Sequence, residues 1–317
     1  MPDVFRSYAS HLREVYKKRV YRVGVDGQFS CPNRKPDGSG GCAFCDGTGT
    51  IAAYQKPQER QPVLASNRLE ERVRQIKVQI ERGKHFLKRR YHAEQFSLYF
   101  QAYTNTFDTL EHLKTLYDSA LEEGPFVELI VSTRPDCITE EIIALLESYK
   151  GKVHRVWVEL GLQSGSDETL EFIGRNHDVS SYIQAVNSLR LAGIGVCTHV
   201  ILGLPGENRK DIACTANIIN ATGSEAVKVH NLHICRNTRM QDWYEMGEVS
   251  TASLRRHVGQ SIWFLRHLNP SIVIERMVCE TPEYRLVAPR AFPDKHQFLQ
   301  QLRSTMEERG WVQGDLV

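Results

Sequence analysis

The stretch VHRVWVELGLQ, residues 153–163, decides the fold. In an extended chain Val156, Val158 and Leu160 fall on one face, and Trp157, Glu159, Gly161 and Gln163 on the other. A near-continuous apolar run with this alternation suits a strand covered on both sides, as in a parallel sheet. A buried polar group without a partner loses its solvation. Glu159 and Gln163 are therefore either contacts to a polar ligand inside the fold or structural groups, a salt bridge and a ladder-ending amide respectively.

Outward from this run, strands and helices alternate. YRVGVDG (21–27), FSLYFQ (96–101), FVELIVST (126–133), GVCTHVILGLP (195–205) and AVKVHNLHI (226–234) read as further strands. Between them 67–82, 108–122, 139–149, the region up to about Leu191, and 208–220 read as helices, with Asp108 as an N-cap and a capping pattern near Thr139. Six βα units with short connections predict an α/β fold with right-handed crossovers. That is a partial (β/α)6 TIM-like barrel, two units short of the full (β/α)8 ring, with its functional groups at the C-terminal ends of the strands. Past Asn237 the alternation weakens: 250–267 and 294–309 read as helices and SIVIERMVC (271–279) as a strand. The expected organisation is residues 1–236 as the partial barrel and 237–317 as an α/β extension packed on it, since no flexible linker intervenes.

Eight cysteines in 317 residues are too few for a disulfide scaffold. No apolar run approaches the roughly 18 residues of a membrane span, and the N-terminus lacks a signal-peptide core. A cytoplasmic protein, in a reducing compartment where thiols stay free for metal, is the expectation. A net charge of +2 excludes a globally basic nucleic-acid binder and leaves local patches open.

Three of the cysteines, Cys31, Cys42 and Cys45, share the loop FSCPNRKPDGSGGCAFCDGTG (29–49) after the first strand. A structural zinc would need a fourth ligand, and no histidine lies between His11 and His85. Five glycines, Gly38, Gly40, Gly41, Gly47 and Gly49, suit a backbone wrapped round a bulky group. A 4Fe-4S cluster takes cysteine thiolates, and three of them leave one iron open for a ligand. A cluster with an open iron near the start of an α/β pattern points to reductive cleavage of S-adenosylmethionine (SAM), which yields a 5′-deoxyadenosyl radical. The ten-then-two cysteine spacing alone only suggests this, and a zinc site or three unrelated thiols remain alternatives.

At other strand ends, TRPD (133–136) places Arg134 and Asp136, and IGRNH (173–177) places Arg175 and His177. An arginine there suits a carboxylate-bearing cofactor, with a solvent-facing side chain as the alternative. His199 lies mid-strand, where a satisfied core histidine is the plain alternative to a ligand contact. GLPGE (203–207) turns a strand into a helix whose N–H groups could meet an anionic or adenine group.

TRPD, VWVELGLQSGSDETLEFIGRNHD and GVCTHVILGLPGE, in this order behind the cysteine loop, resemble the radical SAM superfamily. Within it they resemble the branch of the Elongator catalytic subunit, the anaerobic coproporphyrinogen oxidases and the methylthiotransferases. YFQAYTNT (99–106) and KVHNLHICRNTRMQDWYEMGEV (228–249) resemble the YhcC-type group, for which the resemblance implies radical chemistry but no substrate. The resemblance implies Cys31, Cys42 and Cys45 as cluster ligands, Gln163 lining the SAM site and Arg175 as a carboxylate-binding arginine. His199 falls where the oxidases carry an aspartate near the cofactor ribose and matches the Elongator pattern instead. The usual Gly-Gly-Glu-type motif is replaced by Gln101, Tyr103, Thr104 and Asn105. The chain is too short after Val278 for Elongator's acetyltransferase domain, so acetyl transfer is not expected. A low-potential electron donor of ferredoxin or flavodoxin type is the implied redox partner.

For the substrate, tRNA is the first expectation and a small metabolite or peptide the second; a non-catalytic iron–sulfur scaffold or sensor is the non-enzymatic alternative. Cys137, Cys197, Cys214, Cys235 and Cys279 read as buried thiols, with an auxiliary cluster as the minority alternative. The RNA reading rests on tRNA-modifying relatives by motif and on two basic runs. ERGKHFLKRRYH (81–92) interleaves Arg82, Lys84, Lys88, Arg89 and Arg90 with Phe86 and Tyr91, and REVYKKR (13–19) adds Arg13, Lys17, Lys18 and Arg19. A solvated helix face is the plain alternative.

Overall fold

The computed structural model describes residues 3–35, 37–49, 52, 54–55 and 69–317. After a short helix α1 (Tyr8–Tyr16) come β1 (Val20–Val25), α2 (Leu69–Tyr91), β2 (Gln95–Phe100), α3 (Leu110–Leu121) and β3 (Glu128–Thr133). They are followed by α4 (Glu140–Glu147), β4 (Arg155–Gln163), α5 (Asp167–Phe172), α6 (Val179–Leu191), β5 (Gly195–Leu202), α7 (Arg209–Thr222) and β6 (Ala226–Asn231). The chain then adds β7 (Ile234–Cys235), α8 (Arg239–Glu245), α9 (Leu254–Arg266), β8 (Val273–Arg276), β9 (Leu286–Ala288) and α10 (Lys295–Glu308).

Seven strands form one parallel sheet in the order β1-β2-β3-β4-β5-β6-β8, curled into a half-barrel. The seventh strand, β8, comes from beyond residue 237 and pairs with β6, so the sheet crosses the expected boundary. A two-stranded antiparallel pair, β7 with β9, caps one side.

The alternation along β4 holds in three dimensions. Val156, Val158 and Leu160 join the large core between sheet and helices with Leu129, Val131, Val196 and Val229. Trp157 lies on the inner wall with Tyr99, Ile130, Cys197 and Ala226. Thr109, Thr139, Ser166, Asp178 and Asn208 each accept a backbone N–H as N-caps at helix starts. At α3 the cap is Thr109 and not the expected Asp108, because the Asp108 carboxylate is taken by Arg72 (2.6 Å). Helix α2 runs well past residue 82 because Gly83 lets it close on Val23 and Tyr54; a Cβ there would sit 2.8 Å from the Tyr54 ring. The start of that predicted helix, residues 67–68, lies outside the described residues.

Candidate active site

The loop after β1 folds at the C-terminal end of the sheet. Two turns shape the segments that carry its thiols: Arg34 N donates to Cys31 O (2.9 Å), and Cys45 N to Cys42 O (3.0 Å). Arginines then surround them. Arg34 lies across the loop, donating to Gly38 O (2.8 Å), Cys45 O (2.7 Å) and Cys45 Sγ (3.2 Å). Glycines make room for it, since a Cβ on Gly47 would meet its guanidinium at 2.9 Å, and Gly47 also takes φ 70°.

Arg175 approaches from the turn after α5. Its Nη2 donates to Gly161 O (2.8 Å) and its Nη1 lies 3.4 Å from Cys42 Sγ, which also receives Asn33 Nδ2 at 3.3 Å. Burial pushes the Cys42 thiol up, but Arg175, Arg134 and Asn33 outweigh it and hold the thiol below its ordinary value. Arg134, after β3, is fixed by Asp136 (2.9 Å) and donates to Arg175 O (2.8 Å). Arg175 Nε and Arg134 Nη1 are buried without protein partners among the described residues. Three thiols in a cationic shell with spare N–H donors fit an anionic thiolate-held cluster.

Next to the loop opens a cavity of about 670 Å³ whose wall includes Cys45, Gln101, Tyr103, Gln163 and His199. Gln163 ends β4 at a register shift with φ 74°, a left-handed conformation that a non-glycine residue adopts only where its surroundings impose it. Ala102 and Tyr103 share this feature, at φ 72° and 60°. Tyr103 donates to Gly47 O, tying the β2 end to the cysteine loop. Thr104 and Asn105 lie off the cavity wall and are buried; Asn105 Nδ2 bridges Ala102 O (2.9 Å) and Ser132 O (2.8 Å). His177 directs Nε2 at Gly161 O (3.2 Å), to which it can only donate, and burial beside Arg175 and Arg134 holds it neutral, at about 4.

Below the cavity, Glu159 is fully buried and fully engaged. Arg22 Nη1 (2.7 Å), Tyr99 Oη (2.6 Å), His199 Nε2 (2.7 Å) and Lys228 Nζ (2.8 Å) converge on it. Burial would raise its carboxyl, but Lys228, Arg22 and His199 hold it well below the usual range. Burial keeps His199 down at about 4, so it is a neutral imidazole donating to a carboxylate. Glu159, Cys197 and His199 lie close enough to chelate, yet Lys228 and Arg22 already supply the positive charge there. Tyr99, Arg22, Lys228 and Glu275 were not singled out by the sequence; each is a polar residue in a strand, the same signal that picked out Glu159.

The two basic runs lie elsewhere. Residues 88–91 end α2 just before β2, and Lys17–Arg19 directly precede β1, so both sit at the N-terminal ends of strands, opposite the cysteine loop. Lys18 is paired with Glu94 (2.8 Å), and Lys84 lies 4.4 Å over the Phe126 ring.

Comparison with known sequences identifies this architecture: the Radical SAM superfamily matches residues 31–219. The chain belongs to the radical SAM superfamily. Enzymes of this superfamily use a 4Fe-4S cluster and SAM and need a reductant. A Radical_SAM C-terminal domain matches residues 224–308 of this radical SAM enzyme. Protein YhcC of Escherichia coli is 31% identical over 308 residues, 97% of this chain and 93% of the relative. YtqA of Bacillus subtilis is 32% identical over 311 residues, 96% and 90% respectively. A tRNA uridine(34) acetyltransferase of Methanocaldococcus jannaschii is 30% identical over 144 residues, 44% of this chain and 25% of the relative. Among solved structures, the archaeal Methanocaldococcus infernus Elp3 superposes with a TM-score of 0.66 at 19% identity, over 76% of this chain and 60% of that one, a likeness of fold. Among the described residues no helix is long and apolar enough to cross a membrane.

Proposed function

We propose that this radical SAM enzyme holds its cluster on Cys31, Cys42 and Cys45 and modifies RNA, with tRNA as the substrate. The cluster with SAM supplies hydrogen abstraction from an unreactive C–H bond. The observation that carries the cluster assignment is the placing of Arg34, Arg134 and Arg175 round those thiols, where they supply charge to balance an anionic cluster and, at Cys42, favour the thiolate form. Gln163, Gln101 and Tyr103 line the adjoining cavity and bind and orient SAM; Arg175 and Arg134 offer their spare N–H groups to its carboxylate. Thr104 and Asn105 position the β2 end. Glu159 and His199 form the polar floor. Residues 237–317 act as the extension that completes the half-barrel. A cytoplasmic ferredoxin or flavodoxin fits the electron supply.

Support for RNA comes from the relative named for a tRNA reaction and from one surface. Where β5 hands over to α7, Arg209 begins a groove shared with Arg255, continued by Trp263, Arg266, Arg309 and Trp311. Arg209 lies 5.0 Å over Trp263, and Arg309 4.8 Å over Trp311. Among the described residues Arg209, Arg255, Arg256 and Arg309 have no carboxylate partner, so the groove offers phosphate-binding charge beside aromatic platforms. Glu207, just before it, accepts from Ser164 Oγ (2.5 Å) at the end of β4, which ties the groove's start to the catalytic end of the sheet.

The test is tRNA binding by fluorescence anisotropy across a salt series. Arg255→Gln with Arg256→Gln should weaken binding about tenfold and flatten the salt slope by about 2, whereas Arg89→Gln with Arg90→Gln should leave both unchanged. Equal binding by all three proteins overturns the RNA reading in favour of a small metabolite or peptide.

A further inference from the structure

Charge in the cavity is unevenly matched. Five basic side chains, Arg22, Arg34, Lys228, Arg276 and Arg285, stand in or at its edge. Arg34 serves the cysteine loop. Arg285 is held by Asp46, with Nε at 2.7 Å and Nη2 at 2.9 Å. Arg22 spans two carboxylates, Glu159 (2.7 Å) and Glu275 (2.5 Å), and Lys228 takes the other oxygen of Glu159 (2.8 Å). That leaves Arg276.

Arg276 is the last residue of β8, so it stands at the C-terminal end of the sheet's edge strand, on the same cavity wall as Cys45 and Gln163. Its Nη2 donates to His230 Nε2 (2.7 Å), and its Nε is buried with no partner. Among the described residues it has no carboxylate partner; Glu280 on the cavity wall does not pair with it. The charged groups beside it, Glu275 and its register partner Lys228, are engaged with Arg22 and Glu159. Burial, with Arg276 beside it, holds His230 well below its ordinary value, and His233 is likewise lowered to about 4. His233 is fixed by Asn231 Nδ2 on one nitrogen and Thr281 Oγ1 on the other, both at 2.7 Å.

A half-buried cation with no carboxylate partner among the described residues gains from an arriving counter-charge. A planar guanidinium with open N–H groups matches an oxyanion with two accessible oxygens. We propose that Arg276, backed by His230 and His233, is an anion subsite that grips a carboxylate or phosphate group of the substrate in the cavity that the cysteine loop also lines. The inference rests on reading this cavity as the reaction chamber, and it makes the substrate an anionic one. It also gives β8 a role: the seventh strand brings to the chamber a cation that, unlike Arg22 of β1 and Lys228 of β6, has no carboxylate partner among the described residues.

The experiment is calorimetric titration of the reconstituted protein, kept anaerobic, with inorganic phosphate, with acetate and with SAM in turn. The wild type should bind one oxyanion saturably, and Arg276→Gln should weaken that binding tenfold or more while SAM affinity stays unchanged. Arg276→Lys, which keeps the charge and loses the fork, should fall between them and guards against a folding defect in the glutamine variant. Tighter binding of phosphate assigns a phosphate group, and tighter binding of acetate a carboxylate. Equal oxyanion affinity in the wild type and Arg276→Gln overturns the proposal. So does a parallel loss of SAM affinity, which would make Arg276 a cofactor contact. The titration needs no turnover, so its failure is separable from failure of the RNA reading.

Discussion

Arg175 reaches Cys42 across Gly161: its Nη2 is 2.8 Å from Gly161 O, and its Nη1 is 3.4 Å from Cys42 Sγ. Gly161 carries no side chain at the point where the Arg175 guanidinium and the Gln163 amide both pass over β4. A Cβ there would stand 2.6 Å from Arg175 Nη2 and 2.5 Å from Gln163 Nε2.

Gly161→Ala should therefore displace both groups at once. Overpacking of this kind costs about 1–3 kcal/mol, and SAM affinity, read by equilibrium dialysis, should drop about tenfold, the equivalent of about 1.4 kcal/mol. Wild-type stability together with wild-type SAM affinity would show that neither group depends on this passage.

Glu159 anchors the floor. Glu159→Gln leaves Lys228 and Arg22 buried with Glu275 as their remaining carboxylate, and breaking a buried ion pair on one side costs about 3–5 kcal/mol. The urea midpoint at neutral pH should fall accordingly. A loss below about 1 kcal/mol would mean that water or Glu275 replaces it.

The alternation of β4 made the sheet legible because a strand buried on both faces has to be apolar on one side and selective on the other. The cysteine loop was legible because thiols that close together have few other uses. Its partners were not: Arg22, Tyr99 and Lys228 meet Glu159 from three other strands, and no local period encodes a contact made by barrel closure. The basic run at 81–92 could not be placed relative to the cysteine loop for a related reason. Charge density along a helix says nothing about which end of the sheet it faces, and the α2 direction puts that run at the far end. Arg276 escaped notice because β8 is four residues long and its barrel partner, β6, lies more than forty residues earlier.

Glu207 should make stability pH-dependent. Burial, against the Ser164 hydrogen bond, raises its carboxyl from an ordinary 4.5 to about 7. The folded chain therefore holds this proton more tightly than the unfolded chain, so stability falls as pH rises from about 4.5 to about 7 and stays lower above that. Glu207→Gln should remove this slope and raise the free energy of unfolding at pH 8, read from urea titration, by up to about 3 kcal/mol. An unaltered pH profile in the variant would place the titration elsewhere.

The cluster assignment is tested most directly by anaerobic reconstitution of the wild type and of single alanine variants at all eight cysteines, with iron, sulfide and 5′-deoxyadenosine measured on each sample. The wild type should carry about four irons and four sulfides and release 5′-deoxyadenosine from SAM under a low-potential reductant. Cys31→Ala, Cys42→Ala and Cys45→Ala should each lose the cluster and the product, while the variants at Cys137, Cys197, Cys214, Cys235 and Cys279 keep the cluster. Stoichiometric zinc without sulfide, or a cluster that survives loss of any of the three loop cysteines, would contradict the account.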